Sequence, residues 1–276
     1  MITLCRDNPG QLEITLFAMV EGVRGLPIDW ELLVLDGSGD SACESVARRL
    51  GSRLALPVRY ERRAAEGIYR AMNQALLLAR GELLTFMHAG DRYLSGGLTA
   101  LVEHWLSQSR GADPLAAVFG QALVQPAGRS AWVQPWLTPP RAVRDLRLWL
   151  RLMVPCHQAF LFEAGFARRH PYATSSLVAD RLVMREALAA RPEGAYLARP
   201  VCVYDLSGAS SVLPRWRDLP SRWADHSRSR LGRLAEIIKV CLGMGLASCY
   251  PQLMRWRALA WAWFCSNPAS GKFNDP

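Results

Sequence analysis

The chain opens with a short apolar run, Ile2 to Cys5, which is broken at Asp7-Asn8-Pro9. Leu12, Leu16, Met19 and Val23 then recur at helical spacing as far as Gly25 and Pro27. That pattern predicts a strand followed by a helix, and the alternation repeats. Trp30–Leu35 reads as a second strand closed by the turn Asp36-Gly-Ser-Gly-Asp40, Ser41–Leu50 as a helix, and Leu54–Tyr60 as a third strand. Gly67–Arg80 is helical, with Ala71, Ala75, Leu78 and Ala79 near one face and Gly81 just past its end. Leu83–Met87 is a fourth strand, leading into His88-Ala-Gly-Asp91. Alternating strands and helices over about 90 residues predict a parallel sheet with helices on both faces.

The middle of the chain is less regular. Leu98–Leu106 reads as a helix, Leu115–Val124 as a strand, and the proline-rich Gln125–Pro140 as loop. Arg141–Arg151 is expected to be helical, Val154–Phe162 extended, Leu177–Ala190 helical and Ala195–Tyr204 a strand. Beyond Gly208 the composition changes. Ser221–Val240 and Trp256–Cys265 read as two further helices, the first with Trp223, Leu231, Leu234, Ile237 and Ile238 on an apolar side. The expected division is a domain over residues 1–211 and a helical tail over 212–276.

Composition narrows the class. With 276 residues and 50% hydrophobic content, the chain can bury a large core and is not a disordered or fibrous sequence. Arg, Asp and Glu interrupt the first 20 residues, so no secretory leader is expected there, and no uncharged apolar stretch reaches membrane-spanning length. Seven cysteines without a Cys-x-x-Cys pair indicate neither a zinc knuckle nor a disulfide framework, and free thiols in a reducing cytoplasm are expected.

The net charge of +9 is concentrated at the end: residues 206–276 hold 10 basic and 4 acidic residues and five of the ten Trp. A basic, Trp-rich segment suits an anionic membrane surface better than a nucleic acid. Its arginines are equally compatible with helices packed back on the domain and facing water.

In an open parallel sheet, ligands bind beyond the carboxyl ends of the strands. Three acidic turns fall there: Asp7-Asn8, Asp36 to Asp40, and His88 to Asp91. A single such Asp is often only a turn former; three at one edge point to a site. No Gly-x-Gly-x-x-Gly follows the first strand and no Gly-Lys-Ser/Thr occurs, so dinucleotide and P-loop chemistry lack their signatures.

The strings Glu66-Gly-Ile-Tyr-Arg-Ala-Met-Asn73 and Ala79-Arg-Gly-Glu-Leu-Leu-Thr-Phe-Met-His-Ala-Gly-Asp91 resemble family 2 glycosyltransferases of the GT-A fold, in the branch that builds bacterial surface polysaccharides such as colanic acid. The Asp36 turn, Val154-Pro-Cys-His-Gln-Ala-Phe160 and Ala179-Asp180 resemble further segments of that branch, and the likeness runs from Ile2 to about Ser211. The fold it implies is a mostly parallel GT-A sheet flanked by helices.

The activity it implies is inverting transfer of a sugar from a nucleotide-diphosphate sugar to a hydroxyl of a glycan or polyprenyl-linked acceptor, at the cytoplasmic face of the inner membrane. The resemblance puts Asp36 on the base or ribose, Asp91 on a divalent cation (Mg²⁺ or Mn²⁺), and Asp180 in the role of general base. Asp7, Gly67, Tyr69, Arg70, Asn73 and His88 fall on the donor side, and His157 and Gln158 on the acceptor side. Each has a plainer reading: Tyr69 as a half-buried core ring, His88 as a turn cap, His157 as a structural histidine, Asp180 as a first-turn helix acid. The chain departs from the branch at Ala65, Arg70, His88 and Gly90, where acidic residues are usual. Those departures motivate a rival reading, a non-catalytic scaffold that keeps the fold. A nucleotidyltransferase would need a basic Gly-rich loop after the first strand, and Arg6-Asp7-Asn8-Pro9-Gly10 is a poor one.

Overall fold

The computed structural model describes residues 1–54, 57–109, 115–125, 134–136, 155–176, 178–189 and 191–205, together with Arg233, Leu234, Ile237, Ile238 and Cys241 in the tail. The first half is three parallel strands in the order β1-β2-β3: β1 (Ile2–Cys5), β2 (Leu32–Asp36) and β3 (Val58–Arg62). Helices α1 (Pro9–Val23) and α2 (Ala42–Leu54) make the crossovers, and α3 (Ile68–Leu78) leads to the next strand.

The second half is mixed. Its order is β4 (Leu83–Leu84), β8 (Phe160–Glu163), β6 (Ala117–Gln125), β9 (Tyr196–Asp205) and β5 (Arg92–Tyr93), with β7 (Gln134–Trp136) also paired to β6. Backbone bonds join the halves. Ile2 N–H donates to Thr85 C=O at 2.9 Å, Met87 N–H to Ile2 C=O at 2.9 Å, and Ala89 N–H to Leu4 C=O at 3.1 Å. The chain from Leu83 to Ala89 therefore runs beside β1 and parallel to it. Because β8 is antiparallel to both β4 and β6, and β9 is parallel to β6, the end of β9 points to the same edge as the ends of β1 and β2.

The β2 sequence explains why helices cover both faces. All five of its residues are buried, and successive side chains enter opposite cores. Leu33 and Leu35 pack with Met72, Ala75 and Leu76 of α3 and with helices α5 (Ala164–Arg169) and α6 (Ala179–Leu188). Leu32 and Val34 pack with Leu12, Leu16 and Met19 of α1, with α2 and with α4 (Gly97–Gln108). Each such leucine removed from water is worth about 2 kcal/mol. A short helix, α7 (Pro192–Ala195), precedes β9.

Several expected boundaries move. Leu54 ends α2 instead of opening a strand, because it extends the buried stripe Cys43, Val46, Ala47 and Leu50 by four residues. Within the expected loop 125–140, Gln134–Trp136 pairs antiparallel with Ala122–Val124, and among the described residues β6 is the one neighbour of β7, an edge position that tolerates Pro135. His157–Ala159 is a 3-10 turn before β8, not extended chain. The expected helix Arg141–Arg151, the helix Trp256–Cys265 and most of Ser221–Val240 lie outside the described residues. No helix among the described residues is long and apolar enough to cross a membrane.

Candidate active site

Parallel pairing of β1 with β2 sets Cys5 opposite Asp36, so the turns after both strands leave from one edge. Asp36 is 1% exposed and fully hydrogen-bonded. One carboxylate oxygen accepts from the Ser38 N–H at 2.8 Å and the Ser38 hydroxyl at 2.5 Å; the other accepts from the Tyr60 hydroxyl at 2.5 Å. Burial first, then Asp36, pushes the Tyr60 phenol above its ordinary range, so it remains a donor. The Asp7 N–H donates to the Ser38 hydroxyl at 2.7 Å, and an Asp7 carboxylate oxygen accepts from the Gly39 N–H at 3.1 Å. Asp7 has φ 53°, a left-handed conformation that Asp tolerates better than most residues. It thus ties the first turn to the second while its side chain stays exposed.

The turn after Leu83–Met87 is pinned from α1. The buried Thr15 hydroxyl donates to the Asp91 carbonyl at 2.6 Å and accepts from the Gly90 N–H at 3.0 Å. Asp91 is buried, and its carboxylate accepts from the Asp205 N–H at 2.8 Å and from the Gln158 side chain. Burial pushes its carboxyl up to about 8; these hydrogen bonds pull the other way, and the neighbouring Asp205 carboxylate adds to the rise. Asp205 was not anticipated from the sequence. The rule that picked out Asp36 would have found it, since Asp205 also ends a strand pointing to this edge.

Two neighbouring oxygen-donor carboxylates, Asp91 buried and held short of easy ionisation and Asp205 partly exposed, are a donor set that suits Mg²⁺ or Mn²⁺. A second group, Cys5, Asp36 and Cys43, places its ligand atoms within 4.8 Å of one another. It suits a hard cation poorly. Both Asp36 oxygens already accept hydrogen bonds, and burial together with Asp36 keeps the Cys5 thiol protonated.

A third cluster forms on the other face. The Tyr69 hydroxyl donates to Asp180 Oδ1 at 2.9 Å, and the Tyr69 ring stacks on Tyr172 at 5.8 Å. Asn73 grips the Tyr172 backbone twice, donating to its carbonyl and accepting from its N–H, each at 2.8 Å. The Tyr172 hydroxyl lies 2.9 Å from His157 Nε2. His157 in turn stacks with His88, the ring centroids 6.5 Å apart and the planes nearly parallel, at 5°. Burial drives both imidazoles down to about 3; at His88, His157 reinforces this and Asp180 opposes it. Both rings are therefore neutral, and each keeps an enclosed Nδ1 without a hydrogen-bond partner among the described residues.

Gly67, at φ 108°, gives the backbone a conformation that L side chains rarely adopt, just before α3. Arg70 is exposed and pairs with Glu66 at 3.2 Å. Contacts run from His157 through Tyr172 and Tyr69 to Asp180, with His88 beside His157, and the next residue in the chain, Gln158, reaches Asp91. Asp36 and Asp7 form a separate corner. It is linked to this run through the exposed stretch before α3, where the Arg63 N–H donates to the Asp36 carbonyl at 2.9 Å.

A parallel sheet half joined to a mixed half, with helices on the faces, is the architecture of GT-A glycosyltransferases. The family model Glycosyl transferase family 2 matches residues 13–169, and the chain belongs to that family. The fold is similar to that of the mannosyltransferase PcManGT from Pyrobaculum calidifontis, solved with GDP-Man and Mn²⁺: 19% identity, TM-score 0.53, covering 86% of this chain and 63% of that one. It is also similar to S. aureus TarS 1-349 in complex with UDP-GlcNAc: 12% identity, TM-score 0.56, covering 82% of this chain and 65% of that one. The chain thus covers less than two thirds of either protein. No curated protein matches it in sequence.

Proposed function

We propose that this glycosyltransferase is an inverting, metal-dependent enzyme that moves a sugar from a nucleotide-diphosphate donor to a hydroxyl of a glycan or lipid-linked acceptor in bacterial surface-polysaccharide assembly. The observation that carries the reading is the buried Asp91 carboxyl beside the partly exposed Asp205, where burial and the neighbouring carboxylate oppose ionisation of Asp91, a cost that a bound cation would offset. Mn²⁺ or Mg²⁺ held there supplies charge neutralisation for a departing nucleoside diphosphate. Solved neighbours with GDP-Man and UDP-GlcNAc support a nucleotide-sugar donor.

Under this reading the Asp36 corner takes the nucleoside, its exposed rim built by Asp7 and Gly39. Gly67 lets the chain approach the donor where a side chain would be strained. Arg70 presents a cation at the surface of α3. Gln158 orients Asp91, and His157 and His88 wall the space beside them as neutral groups. Asp180 accepts the proton of the attacking hydroxyl. A single base with direct displacement inverts the anomeric carbon.

Residues 1–211 form the catalytic unit in this account. The basic, Trp-rich 212–276 holds it against the cytoplasmic face of an anionic membrane, where a polyprenyl-linked acceptor lies. A thermal-shift screen of nucleoside diphosphates and sugar nucleotides tests the donor half. A true donor with Mn²⁺ raises the melting temperature by mass action, and Asp91→Ala removes the response. Protein that binds none of them, with or without the metal, overturns the reading.

A further inference from the structure

We infer that Tyr69 is a positioning residue for Asp180, its phenol holding the carboxylate that receives the proton. This rests on the reading of Asp180 as general base.

The contact is long-range and specific. Tyr69 lies in the first turn of α3 and Asp180 in the first turn of α6, 111 positions apart, and the hydroxyl donates to Oδ1 at 2.9 Å. Asp180 stands in the first turn of α6, whose N-cap residue, Val178, makes no side-chain cap bond. Burial first, and then Asp180, raise the Tyr69 phenol above its ordinary range, so it stays a donor wherever the enzyme works.

Tyr69 is itself held in place. Its ring lies on Tyr172 with a 13° interplanar angle. Asn73, one helical turn along α3 from Tyr69, clamps the Tyr172 backbone from both sides. His157 fixes the Tyr172 hydroxyl. One helix thus supplies both the donor and the clamp behind it. Both supports act on the ring that Tyr69 stacks on, and so fix the plane from which its hydroxyl reaches Asp180. The charged and titratable groups facing this pair are Tyr172 and His88, which both sense Asp180, and Arg181, which senses Tyr69.

A hydrogen bond to a carboxylate favours its charged form and fixes which oxygen faces the substrate. Tyr69→Phe keeps the ring and its stack and removes only the hydroxyl. The assay is release of nucleoside diphosphate from sugar nucleotides with Mn²⁺ and water as acceptor, from about pH 5 to about 9. The variant is expected to lose roughly tenfold to a hundredfold in kcat. Its donor KM stays within about twofold and the acid limb of its pH profile moves to higher pH. Added to Asp180→Asn, the substitution costs nothing further.

A variant with wild-type kcat and an unmoved acid limb overturns the inference, provided Asp180→Asn is inactive. An active Asp180→Asn overturns the reading of Asp180 and the inference with it. A wild type that turns over no donor overturns both.

Discussion

The Asp205 N–H donates to the Asp91 carboxylate at 2.8 Å, joining the end of β9 to a turn 114 residues earlier. The bond brings the partly exposed Asp205 beside the buried Asp91 carboxyl, whose ionisation both burial and the Asp205 carboxylate oppose. Asp91→Asn keeps an oxygen for the Asp205 N–H and removes a buried acid whose ionisation burial opposes. The expected outcome is a metal-free protein at least as stable as wild type, with the Mn²⁺-dependent rise in melting temperature abolished. Wild type should gain about 2.7 kcal/mol at a Mn²⁺ concentration a hundred times its Kd. Calorimetry with and without Mn²⁺ checks both halves. A variant that retains the metal response would remove Asp91 from the cation site.

Asn73 supports the cluster from behind. Its amide is the partner of both the N–H and the C=O of Tyr172. Asn73→Ala leaves two backbone groups to find new partners at a partly buried position. A loss of about 2 kcal/mol is expected, read from urea unfolding as a shifted midpoint with unchanged m. Asn73→Asp keeps the acceptor and loses the donor, so it should fall between the two.

Much of this frame could be read from hydrophobic spacing. Apolar runs at Ile2 and Leu32 and the helical stripe from Leu12 to Val23 become β1, β2 and α1, because residues buried on both faces leave little freedom of pattern. Asp36 and Asp91 were visible because polar residues ending apolar strands are conspicuous. Asp205 ends a strand in the same way, but its significance comes from β9 lying parallel to β6, and pairing order is not written in local sequence. The Tyr69–Asp180 and Asn73–Tyr172 contacts were hidden for the same reason: sequence gives residue types, and only the fold brings α3 to α6. The turn at His157 was missed because apolar neighbours on either side mask a three-residue bend.

The two stacked imidazoles make stability depend on pH. Burial lowers His157 from 6.5 to about 3, so between those values the unfolded chain binds a proton that the folded chain refuses. The contribution is complete above about pH 6.5 and is lost as pH falls toward 3. The slope is about 1.4 kcal/mol per pH unit for each such group. His157→Gln should flatten the profile by about one group's worth while lowering stability near neutral pH, where the contact with Tyr172 is weakened. Denaturant unfolding at a series of pH values measures this. Parallel profiles for the two proteins would mean that His157 takes up its proton without unfolding.

Gly90 governs how closely Asp205 approaches the turn. Its φ is 108°, and a Cβ built there would lie 3.3 Å from Asp205 Oδ2. Gly90→Ala therefore meets two penalties: a backbone conformation that costs of order 1–3 kcal/mol for a non-glycine residue, and a methyl group against a carboxylate that must stay near Asp91. The strain falls on the turn that carries Asp91, pinned from below by Thr15. It should move the carboxylates apart before it unfolds the domain. The expected result is a melting temperature lowered by a few degrees and an apparent Mn²⁺ affinity weakened at least tenfold by titration calorimetry. Nucleoside diphosphate binding without metal should be nearly unchanged, because the Asp36 corner is built from other loops. Equal loss of both affinities would show that the turn shapes the whole cleft and not the cation site alone.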